Sequence, residues 1–157
     1  VTSFAANENA ILGYHRDSAY NHMLEMNEGY MVEECYRRMK DYDVRPPNPL
    51  QQTSIFSGGN QQKVVLGKWL ALSPRVLLLD EPTRGVDIGA KDEIYQLMES
   101  LAADGMSILF VSSDLEEIMG LSDRVLVMSE GVMTGTLERA DLTEQAIMRL
   151  AIAGEAA

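Results

Sequence analysis

The stretch RVLLLD, residues 75–80, constrains the fold more than any other part of the chain. It is a continuous apolar run that ends in a carboxylate and is bounded by Pro74 and Pro82. Such a run reads as a strand covered on both faces, because a strand with one wet face alternates apolar and polar residues. A second run of this kind, SILFVSS, occupies residues 107–113. Between them IGAKDEIYQLMESLAADG reads as an amphipathic helix, with Ile94, Leu97, Met98 and Leu101 on one face and Gly105 as its stop. Two buried strands joined by a helix predict an α/β fold with a parallel sheet. Ligands of such sheets sit at the carboxyl ends of the strands. Asp80 and Glu81 fall at the end of the first strand, Ser112 and Ser113 at the end of the second.

Helical patterns dominate the N-terminal part. The first 43 residues read as helical, with SFAANENAILGY as a short helix. EMNEGYMVEECYRRMKDYDV is a longer one whose inner face carries Val32, Cys35, Tyr36 and Met39. RPPNP at 45–49 stops any helix and marks a subdomain boundary. QQKVVLGKWLAL is apolar round most of its circumference and reads as a buried helix. Beyond the second strand, DLEEIMG is a short helix and DRVLVMSEGVMTGTL two strands around a Glu-Gly turn. Asp141 and Glu144 form a capping box for a last helix through Ala151. The expected organisation is a helical part over 1–52, an α/β core over 53–137, and a C-terminal helix and tail over 138–157.

Charge and composition narrow the partners. The net charge is −11, from 24 acidic and 13 basic residues. That balance argues against nucleic acid or an anionic lipid surface, while leaving room for one bound nucleotide. The lone cysteine, Cys35, excludes an internal disulfide and fits a reducing compartment. No segment has the roughly 20 apolar residues of a membrane-spanning helix. The most apolar region, VVLGKWLALSPRVLLLD, is interrupted by Lys68, Pro74 and Arg75. VTSFAANENAIL has neither a signal-peptide pattern nor an initiator methionine, so the chain is expected to begin inside a longer protein or to have been trimmed. His15 and His22 read as solvated side chains.

Three motifs carry chemistry, and each also has a plain structural reading. In LLLDEP, Asp80 can hold Mg2+ through water beside a nucleotide's phosphates, and Glu81 can orient or deprotonate a water. The same residues can simply mark a strand end. In FSGGNQQK, residues 56–63, Ser57 can cap a helix while Gly58 and Gly59 let the backbone approach a phosphate. A capped helix behind a glycine turn has the same spelling. In TRGVDIGAK, Asp87 can reach a neighbouring site or cap the helix that follows.

Taken together, S-G-G-N-Q-Q-K, a helix, L-L-L-D-E-P-T and a loop with Asp resemble the nucleotide-binding domain of ABC transporters. Phe56 stands for the Leu of the signature L-S-G-G-Q, and Asn60 for its Gln. The spelling D-E-P-T-R-G-V-D and the tail DRVLVMSEGVMTGTLERADLTEQAIMRLA resemble the second cassette of the sugar-import subfamily, which is similar to the ribose, galactose and xylose importers. The resemblance implies that Ser57, Gly58, Gly59 and Asn60 contact the γ-phosphate of an ATP held by an opposing cassette. It implies that Asp80 is the Walker B ligand of Mg2+, Glu81 the catalytic carboxylate and Asp87 the D-loop residue at the dimer interface. The N-terminal helices would couple to a transmembrane sugar permease at the cytoplasmic face of the inner membrane.

Two departures qualify the resemblance. The P-loop pattern G-x-x-x-x-G-K-S/T is absent; the nearest stretch, GVDIGAKD, has Ala90 for the second Gly and Asp92 for Ser/Thr. The chain therefore resembles the C-terminal half of one cassette, an incomplete P-loop NTPase-type fold. Ser113 also stands at the switch-histidine position and cannot carry a positive charge. Its simpler role is a helix cap, with Glu116 completing the box. The isolated chain is thus expected to lack ATPase activity, to bind ATP and Mg2+ weakly, and to self-associate through the open side of RVLLLD. An alternative is an interaction module that completes another cassette's ATP site in trans. A less favoured one is an unrelated Mg2+-dependent enzyme using Asp80 and Glu81, which leaves FSGGNQQK unexplained.

Overall fold

The computed structural model describes residues 1–14, 16–22 and 25–153. The expectation for His15 lies outside the described residues, as does that for the side chain of His22. The chain divides into two compact units, Val1–Phe110 and Val111–Ala157. The proline run at 45–49 lies inside the first unit.

In the first unit α1 (Ala6–Ala10) leads to a short antiparallel pair, β1 (Asn21–His22) with β2 (Glu25–Met26). This pair interrupts the N-terminal region expected to be helical. Helix α2 (Glu28–Asp41) starts only at Asn27, whose side chain accepts the Tyr30 N–H at 3.1 Å. Its buried face is Met31, Cys35 and Met39, not the expected set, because Tyr36 is exposed and Val32 half-buried. The covered stripe runs at i, i+4 and i+8: Met31 packs with Ile11 and Tyr20, and Cys35 and Met39 join Ala6 and Ala10 of α1 and a valine, Val64, further along the chain. Burial pushes the Cys35 thiol up to about 12, so it stays protonated and behaves as an apolar side chain.

Helix α3 (Gly58–Leu70), strand β3 (Val76–Asp80), helix α4 (Ile88–Ala103) and strand β4 (Ser107–Val111) follow. β3 and β4 are neighbours in one sheet, and α4 as the crossover makes them parallel. The Ser107 N–H donates to the Arg75 carbonyl at 3.1 Å where the pairing begins. Leu66 and Leu70 of α3 pack with Leu77 and Leu79 of β3, Leu97 and Leu101 of α4, and Ile108 of β4. Burying one such leucine contributes about 1.5–3 kcal/mol.

The other face of these strands is bare. Val76, Leu78 and Leu109 are 56%, 69% and 54% exposed. The expectation that both strands are covered on both faces is therefore corrected, while the open apolar side expected for RVLLLD is present. Helices α3 and α4 both serve the Leu77 side, and among the described residues no element of this unit covers Leu78. Helix α3 is likewise not buried all round, since Val65 and Trp69 are exposed.

In the second unit α5 (Leu115–Leu121), β5 (Arg124–Ser129), β6 (Val132–Glu138) and α6 (Glu144–Ala153) enclose a core of Val125, Val127 and Ile147. β5 and β6 are antiparallel around Glu130-Gly131, where φ is +49° and +80°. Those values suit the tight hairpin turn that the Glu-Gly pair predicts. Two expected caps are corrected. Asp114, not Ser113, caps α5 by accepting the Glu116 N–H at 3.0 Å. Thr143, not Asp141, accepts the Ala146 N–H at 3.2 Å, because Arg139–Asp141 forms a separate 3-10 turn. Arg139 donates to the carbonyls of Met119 and Ser122, closing the C-terminal end of α5.

Glu34 on α2 accepts from both Arg37 and Arg38. Burial pushes its carboxyl up, but the bonds from Arg37 and Arg38 outweigh that and hold it below the ordinary 4.5. A depressed carboxylate contributes stability above its unfolded pKa and loses it as pH falls through the folded value. The Glu34→Gln variant is therefore expected to be less stable near neutrality by about 0.5 kcal/mol, a small effect typical of helix ion pairs. Urea titrations at falling pH should show that difference vanish in the acid range below 4.5. No helix among the described residues is long and apolar enough to cross a membrane.

Candidate functional site

The Ser57 turn opens α3 with extended backbone at Ser57, φ −58° and ψ 158°. Its hydroxyl accepts the Asn60 backbone N–H at 3.4 Å and the Asn60 side-chain amide at 2.9 Å. Asn60 Oδ1 in turn accepts the Arg45 N–H at 2.8 Å. The two glycines fit against the chain itself. A Cβ on Gly58 would stand 3.0 Å from the Gly85 carbonyl, and one on Gly59 would stand 2.4 Å from Ala90 Cβ. Only glycine permits that second approach, so Gly59 brings the start of α3 onto the start of α4.

The segment from Asp80 to Asp87 forms the other wall. Asp80 ends β3 and is exposed. Glu81 follows at φ +48°, in the left-handed region, where a non-glycine residue stores about 1–3 kcal/mol of strain. The Arg84 N–H closes a turn onto the Glu81 carbonyl at 3.1 Å, and the Val86 N–H another onto Thr83 at 3.1 Å. Pro82 and Thr83 are buried beneath it. Asp87 then caps α4, accepting the Ala90 N–H at 3.0 Å. Between the two walls Lys63, buried in α3, donates to Glu93 of α4 at 2.6 Å and to the Asp43 carbonyl at 3.1 Å.

A profile described as ABC transporter matches residues 3–84. The chain belongs to the ABC transporter family. It is 52% identical over 124 residues to the arabinose import ATP-binding protein AraG of Pseudomonas syringae pv. tomato, covering 79% of this chain and 24% of that protein. It is 53% identical over 114 residues to the ribose import ATP-binding protein RbsA of Clostridium perfringens, covering 73% of this chain and 23% of that protein. With the xylose import ATP-binding protein XylG of Geobacillus kaustophilus it shares 50% identity over 135 residues, 86% of this chain and 26% of that protein. The chain thus spans about a quarter of the length of these relatives.

Solved cassettes share the fold. The ADP conformation of an ATP-binding cassette of an ABC transporter superposes with a TM-score of 0.75 at 19% identity, over 97% of this chain and 64% of that one. A dimeric post-hydrolysis cassette bound to ADP and Pi gives 0.69 at 21% identity, over 88% and 58% of the two chains.

Among the cassette residues expected from the motifs, the structure brings together Gly58 and Gly59 with the loop that carries Asp87. Asp80 and Glu81 lie at the head of that loop, while Ser113 belongs to the second unit. Several features were not legible in the motifs. The cap reading for Ser57 and Asp87 was visible, but the Asn60–Arg45 bond joins residues 15 apart and has no local signal. Lys63 was not singled out either; a charge inside a helix read as buried is the signal that could have pointed to a paired partner. The left-handed Glu81 has no sequence signature at all.

Asp80 and Glu81 supply adjacent carboxylates at the strand end, and no group of three or more His, Cys, Asp and Glu side chains converges among the described residues. That donor set fits Mg2+ bound by one or two carboxylates, with phosphate oxygens and water completing the shell.

Proposed function

We propose that the chain is part of the ATP-binding subunit of an ABC importer for a carbohydrate, working at the cytoplasmic face of a membrane with a permease. In this reading Ser57, Gly58, Gly59 and Asn60 close over the phosphates of an ATP held by an opposing cassette. Asp80 holds Mg2+ through water, and Glu81 accepts a proton from, or orients, the attacking water. Mg2+ would supply charge neutralisation on the phosphate oxygens. Asp87 lies at the junction of the two cassettes.

The observation that carries the reading is the seating of the Gly58-Gly59 turn on the Gly85–Ala90 loop. It ties the helix start that would meet one nucleotide to the loop beside Asp80 and Glu81. The carbohydrate assignment draws on relatives whose names specify arabinose, ribose and xylose import. The isolated chain has no Walker A lysine with its glycine cradle. It is therefore inactive alone and supplies only the covering half of a site.

The test mixes the purified chain with a P-loop-bearing cassette whose own signature serine has been removed. Binding of Mg-ATP should rise on addition of the wild-type chain and not on addition of Ser57→Arg. Equal binding with both overturns the covering role. Turnover of ATP by the chain alone, abolished in Glu81→Gln, would overturn the inactivity.

A further inference from the structure

The loop Asp43–Arg45 meets α3 at two successive turns. The Arg45 N–H donates to Asn60 Oδ1 at 2.8 Å, and the Lys63 ammonium donates to the Asp43 carbonyl at 3.1 Å. Lys63 is 4% exposed, whereas its carboxylate partner Glu93 on α4 is 55% exposed. The loop itself is contorted: Asp43 sits at φ +51°, and the Val44 N–H returns to the Met39 carbonyl at 2.7 Å.

The other end of the Asn60 amide reaches Ser57. That bond, 2.9 Å from Nδ2 to Oγ, is shorter than the 3.4 Å backbone contact to the same oxygen. A 3.4 Å contact lies at the weak limit, so the position of Ser57 Oγ is set mainly by its bond from the Asn60 side chain. An amide serves both partners in one orientation only, since its oxygen accepts and its nitrogen donates. The Arg45 N–H selects that orientation.

We infer that the Asp43–Arg45 loop is a latch that sets the hydrogen-bonding state of Ser57 through Asn60, and that Lys63 is the positioning residue holding the latch closed. In the closed state the Asn60 side chain is engaged at both ends within the chain. Release of the loop frees Oδ1 and lets the amide turn. Ser57 and Asn60 then become available together to groups outside the chain. Glu93 keeps the Lys63 ammonium paired in both states, so the latch opens without stranding a buried charge. The inference goes beyond the importer reading and rests only on bonds inside the chain.

Amide hydrogen exchange on the full chain, read residue by residue by NMR, tests it. Lys63→Met keeps the apolar stem and removes the donor. It should speed exchange at Arg45 and Asn60 about tenfold, the scale of one lost hydrogen bond, and leave the middles of α2 and α4 unchanged. Lys63→Arg retains donors and should stay within about twofold of wild type at both positions. Asn60→Ala should accelerate Arg45 and spare Val44. If Lys63→Met fails to fold, Lys63→Gln, a shorter side chain with a polar end, is read in the same way, whereas Glu93→Gln leaves the Lys63 bond to the Asp43 carbonyl in place and should stay within about twofold of wild type at both positions. Unchanged exchange at Arg45 and Asn60, or a uniform rise across α2, α3 and α4, overturns the latch.

Discussion

Gly59→Ala is expected to lower the stability of the first unit by about 1–2 kcal/mol, although alanine is the better helix former by up to about 1 kcal/mol. The new methyl would lie 2.4 Å from Ala90 Cβ, far inside van der Waals contact. Neither partner is a flexible side chain end, so the two helix starts must move apart. Propensity and packing therefore predict opposite signs, and the distance decides for packing. The double variant Gly59→Ala, Ala90→Gly restores the space and moves the methyl from one helix to the other. It should return to within about 0.5 kcal/mol of wild type, a coupling of the size expected for directly touching residues. Chemical denaturation of the wild type, the two single variants Gly59→Ala and Ala90→Gly, and the double variant measures this. A Gly59→Ala protein as stable as wild type would show that the two helix starts do not touch.

The second large effect concerns the open face of β3 and β4. Val76, Leu78 and Leu109 each retain over half of their accessible surface. Covering them with a second copy would contribute about 1–2 kcal/mol per side chain, or roughly 6–12 kcal/mol for both copies. The loss of free translation and rotation opposes this with about 4–15 kcal/mol. The two terms nearly balance, so the purified chain should associate weakly and reversibly, with dimer growing as concentration rises. A lysine at position 78 places a charge at the centre of the patch. Sedimentation equilibrium should show Leu78→Lys as a monomer where the wild type self-associates, with unchanged stability because Leu78 contributes little to the folded core. A wild-type chain that remains monomeric at high concentration, with low binding of an apolar dye, would refute the association.

That bare face also shows where reading the residues reached its limit. RVLLLD is uniformly apolar because its composition suits cover on both sides, and only one side has cover in this unit. Apolar character reports what a residue tolerates. It does not report which neighbour arrives. The same reasoning explains α2, where Tyr36 fits an apolar stripe yet is exposed, while Cys35 and Met39 join one core and Met31 another.

Caps divide along the same line. Ser57 and Asp87 each bind an N–H three residues on, a contact set by the backbone of a single turn, and both were legible from spelling alone. The cap expected at Ser113 lies one residue further on, at Asp114. The path of the incoming strand set the residue with extended backbone, and Asp114 took the cap.

Features closed within a few residues were therefore present in the chain as written: the strand–helix–strand order, the Glu130-Gly131 turn, the Ser57 cap and the carboxylates after β3. Their physics is local, arising from backbone sterics and hydrogen bonds between near neighbours. Other features needed the fold. The contact between Gly59 and Ala90, the Arg45 bond to Asn60, the Lys63–Glu93 pair and the choice of which sheet face is covered all join distant residues. Each depends on two surfaces meeting at a particular distance, and only packing in three dimensions sets that distance.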